Sequence, residues 1–313
     1  MSEKAKKVNP HVSVVIATRN RWDELQQAIE SCLSQDYPAI EILVFDDASE
    51  KNIAKKVKDR YPTVKVSRSE VNVGQTVLRN KGFMEATGKY VFSLDDDAFY
   101  NDNHTISKVV EKLEKYTNVA VVALPYFEPK LHRMHWQGLE VNQNKSSNDK
   151  LIANFVACAA AFRKQAVIKM NGYRELFFFQ GEEEDLAIRL MGEGFDIISS
   201  YVEPLTHTFS GIRDWKALHI NGTKNSILFT FFNAPLSCLF PRLVLTTIGT
   251  FWHGIVIKEP WLKLIGIIRG YRDCLKYWQI RRPVDLTTWR KFRRLLKKPE
   301  DYPVETKTVD GQH

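Results

Sequence analysis

An α/β domain with a mostly parallel central sheet, continued by a helical, basic, amphipathic C-terminal extension, is the fold class that the 313-residue sequence predicts. Three observations carry it. Short apolar runs rich in β-branched residues alternate with helical patterns of roughly a dozen residues, the rhythm of a parallel sheet with crossover helices. The polar stretches "ATR", "DDAS" and "DDD" each close such a run, and ligands collect at the carboxyl ends of strands in open sheets. After residue 210 the alternation stops, and an apolar stretch gives way to a basic one.

"HVSVVIAT" reads as a strand buried on both faces, and "RWDELQQAIESCLSQ" as a helix with Trp22, Leu25, Ile29, Cys32 and Leu33 on one face. "IEILVFDD" is a second buried strand, "EKNIAKKVKDRY" a charged helix and "TVKVSR" a third strand. "GQTVLRNKGFMEATG" is helical with Gly88 as its stop, and "KYVFSL" is the strand that delivers three aspartates. One more helix within residues 103–124 leads into the strand "VAVVALP". "LHRMHWQGLEV" and "LIANFVACAAAFRK" read as longer strands or a strand running into a helix. "GEEEDLAIRLMGEG" is a helix whose apolar face is Leu186, Leu190 and Met191, and "FDIISS" a short strand. The expected organisation is a first half over residues 10–100, a second over 101–210, a helical region over 211–300 and a disordered tail over 301–313.

With 44% hydrophobic and 26% charged residues the chain is globular rather than disordered. Its net charge of +8 fits nucleic acid, an anionic small molecule or an anionic membrane surface alike. Four scattered cysteines without a CxxC pair argue for reduced, mostly buried thiols and a cytoplasmic setting. "MSEKAKKVNP" has no apolar segment after its charges, so a secretory signal is not expected there.

From Asn225 to Ile257 the only fully charged residue is Arg242, and the flanking uncharged runs of 17 and 15 residues are shorter than a bilayer crossing needs. Pro235 and Pro241 are expected to interrupt any single helix there. Twelve Lys/Arg and two acidic residues follow between Lys263 and Lys298, interleaved with Trp261, Tyr271, Tyr277, Trp278 and Trp289. That pairing suits peripheral attachment to the inner face of a membrane, with a helical subdomain bearing a solvated basic face as the competing reading.

"YVFSLDDDAFY" sets the chemical question, because a core strand has no structural need to end in three carboxylates. Like charges raise one another's pKa, and a hard divalent cation resolves the crowding. If the strand continues, Asp95 and Asp97 face one side and Asp96 the other. The second acidic cluster is "FFFQGEEEDLAIRL", where Glu182, Glu183, Glu184 and Asp185 open a helix. Helix N-termini favour one or two acids; four exceed capping, and a partly desolvated carboxylate beside substrate is a candidate general base.

Together "HVSVVIATRNRWDELQQAIESCLSQDYPAIEILVFDDAS", "NVGQTVLRNKGFMEATGKYVFSLDDDAF" and "FFFQGEEEDLAIRL" resemble an inverting glycosyltransferase of family 2 with the GT-A (nucleotide-diphospho-sugar transferase) fold, over roughly residues 10–210. The resemblance implies a hexosyl- or deoxyhexosyltransferase that uses Mn2+ or Mg2+ and a nucleoside-diphosphate sugar. Carried over position by position, it implies that Thr18 and Arg19 line the nucleotide pocket and that Asp46 or Asp47 accepts a hydrogen bond from the base. Gly74 would let the chain pass close to the nucleotide, and Arg79 would steady the aspartates or a phosphate. Asp95–Asp97 match the family's DxD motif, with Asp95 and Asp97 as metal ligands, Asp96 beside the donor and His207 near the metal or diphosphate. By register the base is Glu183, with Glu182 and Glu184 as neighbours, and Asp185 and Arg189 match a structural DLxxR element. The acceptor implied is a lipid-linked saccharide of cell-surface polysaccharide synthesis, met at an anionic membrane surface; a homo-oligomer is left open.

Other classes fit less well. A dinucleotide oxidoreductase would carry G-x-G-x-x-G where this chain has "ATRNRWDE", and no P-loop occurs. A nucleic-acid binder would spread its charge along a groove, whereas here it gathers beside the C-terminal apolar run. A non-enzymatic membrane-associated protein that binds nucleotide-sugar and keeps the fold is the alternative.

Overall fold

Parallel pairing begins with the first two apolar runs, β1 (Val12–Thr18) and β2 (Ile40–Asp46), joined through α1 (Trp22–Leu33). In this computed structural model, which describes residues 9–139, 149–208 and 214–303, the alternation continues through α2 (Ile53–Arg60), β3 (Lys65–Arg68), α3 (Gln75–Glu85), β4 (Tyr90–Asp95), the short β5 (Ala98–Phe99), α4 (Thr105–Lys115) and β6 (Val119–Ala123). Then follow β7 (Tyr126–Glu128), β8 (Arg133–His135), β9 (Lys150–Leu151), β10 (Ala159–Arg163), α5 (Lys164–Lys169), α6 (Glu182–Gly192), β11 (Asp196–Ser199) and β12 (Leu205–His207). The chain closes with α7 (Trp215–Asn233), α8 (Leu236–Val256), α9 (Pro260–Lys276), α10 (Leu286–Lys297) and β13 (Glu300–Asp301).

The main sheet runs β13-β9-β11-β6-β10-β4-β1-β2-β3. Its β4-β1-β2-β3 half is parallel, and β10 enters antiparallel between β4 and β6. Both faces are covered, which is why the strands read as continuous apolar runs. Val12, Val14 and Ile16 join one core with Leu25, Val57 and Val109 from α1, α2 and α4. Val15 joins the other with Leu78, Val167, Leu186, Phe232 and Phe292 from α3, α5, α6, α7 and α10. Leu33, expected on the buried face of α1, is exposed. Among the described residues a smaller sheet, β5-β12-β7-β8, stands at the carboxyl end of β4. Register puts Thr18 opposite Asp46 and Ala17 opposite Asp95, so three strand ends share one rim.

The C-terminal region is less separate than the sequence suggested. α7 buries Ile227, Leu228 and Phe232 in the hydrophobic core of the α/β domain, and α10 buries Trp289, Phe292 and Leu295 there. β13 extends the sheet beside β9, and Tyr302 stacks edge-on to Tyr116, so residues 301–302 are built into the domain rather than a disordered tail. Residues 304–313, the rest of that expected tail, lie outside the described residues. Pro235 does separate α7 from α8, but α8 continues through Pro241. No described helix is long and apolar enough to cross a membrane. α8 nonetheless exposes Leu236, Phe240, Leu245, Ile248, Trp252 and Val256.

Asp185 ties this region to the domain. It is fully buried and accepts hydrogen bonds from Arg174, from Arg189 Nε at 2.8 Å and from Asn233 Nδ2 at 2.8 Å. Arg189 also donates to the carbonyls of Met170 and Gly172, which confirms the structural role read for this pair. Removing one partner of a buried ionic cluster strands the others, so Asp185→Ala should lower unfolding free energy by about 3–5 kcal/mol in urea denaturation.

Candidate active site

Twenty residues line a cavity of about 540 Å³ at the shared rim, and ten of the twelve positions proposed from the sequence are among them. Thr18 and Arg19 come from the end of β1, Asp47 from the end of β2, Arg79 from α3, Asp95–Asp97 from β4 and the turn after it, Glu182 and Glu183 from the start of α6, and His207 from β12. Asp46 and Gly74 are not. Asp46 points inward, fully buried, where it accepts from the amides of Ser49 at 3.0 Å and Ala54 at 3.4 Å with Arg68 Nε at 3.6 Å. Of the two neighbours, then, only Asp47 reaches the cavity; its carboxylate accepts from the Val73 and Gly74 amides at 2.8 and 3.0 Å. Gly74 has a close protein neighbour that the sequence did not show. At φ 88° a side chain would be strained, and its Cβ would lie 2.6 Å from the Phe178 ring.

β4 ends at Asp95, so simple alternation does not set the directions of Asp96 and Asp97. Each carboxylate has cationic or amide company. Gln75 Nε2 and Arg79 Nη2, one turn apart on α3, both donate to Asp95 Oδ1, at 2.8 and 2.7 Å. Arg21 donates to Asp96 Oδ1 at 2.9 Å and Asp97 Oδ2 at 3.3 Å. Burial still raises Asp96 to about pKa 7 against the pull of Arg21. The remaining oxygens of the outer pair face one imidazole nitrogen: His207 Nε2 is 3.2 Å from Asp97 Oδ1 and 3.9 Å from Asp95 Oδ2.

The small sheet holds His207 there. β12 pairs with β5, and Thr208 donates its amide and hydroxyl to the Asp97 carbonyl at 2.8 and 3.0 Å. Tyr126 stacks on His135 and meets His207 edge-on, and Glu128 Oε1 lies 3.6 Å from His207 Nδ1. Burial opposes a proton on His207, but Asp97 and the charges of Asp95 and Glu128 outweigh it, so its pKa is raised. This donor set fits a hard divalent cation: two carboxylate oxygens and an imidazole nitrogen converge, and a carboxylate behind the other ring nitrogen is the usual outer support of a metal-bound histidine. Cys158 Sγ is within 4.8 Å of donor atoms of Asp95 and His207, but burial pushes its thiol well up and keeps it neutral.

The second acidic cluster is positioned by a strained loop. Phe178, Gln180 and Gly181 all have positive φ, and the Asn225 side chain of α7 donates to the carbonyls of Phe177, Phe179 and Gln180 at 2.6–2.8 Å. Thr76 Oγ1 adds a bond to Phe178 O at 2.8 Å. The aromatic run splits accordingly: Phe177 enters the core, Phe178 covers Gly74 and Phe179 lines the cavity. Glu182 is buried with Arg79 Nη1 at 3.7 Å, while Glu183 is only partly buried and its Oε1 is 3.5 Å from the Ala157 amide. Burial raises both carboxyls; the Glu183 charge raises Glu182 further, and Arg79 pulls the other way. Glu184 faces away, into a neighbouring cavity.

Sequence reasoning missed Arg21, Gln75, Glu128 and Cys158. Arg21 and Gln75 stood inside quoted motifs, and the i,i+4 spacing of Gln75 and Arg79 on a predicted helix was the available signal. Glu128 and Cys158 meet the site only through strand pairing, which no local pattern encodes.

Residues 13–170, half of the chain, match the model for "Glycosyl transferase family 2". The chain is 28% identical over 189 residues to the GalNAc(5)-diNAcBac-PP-undecaprenol beta-1,3-glucosyltransferase of Campylobacter jejuni, an alignment that takes in 59% of this chain and 60% of that one. It is 39% identical over 93 residues to the uncharacterized glycosyltransferase YibD of Escherichia coli, covering 28% of this chain and 27% of its relative. The structure resembles a mannosyltransferase of Pyrobaculum calidifontis in complex with GDP-Man and Mn2+, with a TM-score of 0.57 at 15% identity, covering 92% and 80% of the two chains. At that identity the likeness speaks for the fold, which is GT-A with a helical C-terminal region.

Proposed function

The chain belongs to glycosyl transferase family 2, and from that premise we propose that it moves a sugar, with inversion, from a nucleoside-diphosphate donor to a hydroxyl of a lipid-linked saccharide. The observation that carries the proposal is the convergence of Asp95 Oδ2, Asp97 Oδ1 and His207 Nε2 in the cavity that Glu183 also lines. Asp95, Asp97 and His207 would hold Mn2+ or Mg2+, which when bound offsets the charge that develops on a leaving diphosphate. Arg21 and Arg79 fix the aspartates, leaving one oxygen of each outer carboxylate turned toward the histidine. Thr18, Arg19 and Asp47 form the nucleotide end of the same cavity. Glu183 takes the proton from the acceptor hydroxyl as its oxygen bonds to the anomeric carbon and the bond to the diphosphate breaks on the opposite face. Glu182, paired to Arg79 and more deeply buried, positions rather than reacts. The undecaprenol-linked acceptor in the name of the Campylobacter relative supports the acceptor class, although the alignment spans 60% of that protein.

Membrane attachment is the second part of the proposal. With α7 and α10 committed to the core, α8 and the outer side of α9 carry the contact: Phe240, Ile248 and Trp252 on α8, Trp261, Ile268 and Leu275 on α9 are exposed beside Arg269, Arg272 and Lys276. Such a surface suits insertion to headgroup depth with cationic residues at the lipid phosphates, each worth about 1 kcal/mol on an anionic leaflet.

Four outcomes are expected. Asp97→Asn should weaken UDP or GDP binding in the presence of Mn2+ and lower turnover at least about a hundredfold, on the scale of one lost electrostatic stabiliser; calorimetry giving wild-type metal-dependent affinity would remove Asp97 from the metal site. Glu183→Gln should keep donor binding and lose transfer by roughly 10²–10⁴-fold. Because burial raises the Glu182–Glu183 pair and the base must be ionised, kcat/KM of the wild type should rise with pH through an apparent pKa above the roughly 4.3 of free glutamate; a profile flat down to pH 5, or collapse in Glu182→Gln alone, would move the base elsewhere. Finally, the protein should sediment with phosphatidylglycerol vesicles far more than with phosphatidylcholine ones. Salt should weaken this only in part, and Phe240→Ser with Trp252→Ser should remove the salt-resistant fraction. Monodisperse protein that binds neither vesicle in detergent-free buffer would count against attachment.

A further inference from the structure

A second cavity, of about 470 Å³, lies behind the catalytic one and is framed by α7, α8, α9 and the start of α6. Gln180 lines both cavities, so they adjoin. Its lining gathers His219 of α7, His253 of α8 and Lys263 of α9, with Trp215 and Thr223 beside them and Glu184 on the α6 side. Lys263 is only 7% exposed, and among the described residues it has no ion pair or side-chain hydrogen bond. Its stem is packed under Gly254, where a Cβ would come within 2.7 Å of Lys263 Cγ. Thr223 is 1% exposed and its hydroxyl has no partner; Asn225 Oδ1, also buried on this wall, has none either. A buried lysine and an unsatisfied buried hydroxyl are costly unless a ligand completes them, and an anion can accept from both. Burial lowers both Lys263 and His219, and the Lys263 charge lowers His219 further, strain that an anion would relieve.

The helix that supplies His253 says where such an anion would come from. Gly249, Thr250 and His253 face the cavity, while Ile248, Phe251, Trp252 and Ile255 of the same helix are exposed around its mouth. A polar, cationic pit rimmed by exposed apolar side chains matches a ligand that is charged at one end and lipid at the other.

We propose that this cavity seats the lipid-borne diphosphate of the acceptor, with Lys263, His219, His253 and Thr223 around the phosphates and the exposed face of α8 along the lipid chain. The assignment rests on the lipid-linked acceptor proposed above and narrows it. Gly181 and Glu184 line this cavity and Glu182 and Glu183 the catalytic one, so a single helix start separates phosphate from base.

Calorimetry in EDTA, which disables the aspartate site, tests the seat directly with farnesyl diphosphate, inorganic pyrophosphate and farnesol. The wild type should bind farnesyl diphosphate at least tenfold more tightly than either of the other two. Lys263→Gln and His253→Gln should each weaken it about tenfold while leaving UDP or GDP binding with Mn2+ unchanged. If Lys263→Gln does not fold by its thermal melt, His253→Gln, at an exposed position, decides alone. Equal binding of farnesol would overturn the role of the phosphates, equal binding of pyrophosphate the lipid source, and unchanged affinity in the folded variants the site itself. Loss of UDP and GDP binding in the wild type, with farnesyl diphosphate still dependent on Lys263 or His253, would sink the transferase reading and leave the seat standing.

Discussion

Asp95, Asp96 and Asp97 bring three carboxylates to the rim of a sheet whose interior is apolar, and burial together with the neighbouring Asp97 charge makes Asp96 harder to ionise. Two unit charges about 4 Å apart near a protein surface interact by about 4 kcal/mol. Much of the surrounding structure answers that repulsion. Gln75 and Arg79 rise from the first turns of α3 onto Asp95, Arg21 reaches from the β1–α1 turn to Asp96 and Asp97, and the small sheet brings His207 against the outer pair. The compensation is partial: Arg79 is shared with Glu182, and one oxygen each of Asp95 and Asp97 is turned toward the imidazole. A site neutralised this far keeps its fold and still has room for a cation.

Glu183 depends on a different constraint. The loop from Phe177 to Gly181 takes up three positive-φ residues before α6 begins, a conformation that two of them, Phe178 and Gln180, adopt only at a cost of order 1–3 kcal/mol each. Asn225 offsets this by gathering three carbonyls on one amide nitrogen, and Thr76 holds a fourth. Asn225 belongs to α7 and Asn233, eight residues on, binds Asp185 of α6. The C-terminal region therefore sets the entry of the helix that carries Glu183, which explains why α7 cannot be read as a detachable appendage.

Legibility in the sequence followed locality. Strand ends and helix starts are local, so Asp95, Asp97, Glu182, Glu183 and Thr18 could be named from runs of residues and all line one cavity. The choice between Asp46 and Asp47 was not legible, because it turns on which carboxylate satisfies the Ser49 and Ala54 amides of the following turn. The packing role of Gly74 was not legible either: its close neighbour is Phe178, 104 positions away. Composition marked the C-terminal apolar stretch without separating its two fates. Ile227 and Phe232 fill the core, whereas Phe240 and Trp252 stand outside, and only tertiary packing distinguishes them. Pro241 misled as well, since proline ends a helix only if the neighbouring backbone cannot absorb the lost hydrogen bond, and α8 carries it on a largely exposed face.

That division of the C-terminal region bears on how Glu183 is held. Thr18, Asp47 and Asp95 stand at strand ends and are fixed by the sheet, whereas Glu182 and Glu183 share their cavity from the start of α6, whose entry α7 sets. The second cavity is bounded by α6, α7, α8 and α9, elements whose mutual placement rests in part on Asn225, Asp185 and a few small residues. Gly266 and Gly270 of α9 pack directly on Thr223 and Ile227 of α7, where a Cβ would meet atoms 2.7–3.0 Å away. Helices in such close contact move as one unit. A shift of α8 or α9 at a membrane surface would thus be transmitted through α7 to the Asn225 carbonyl clamp, and so to Glu183.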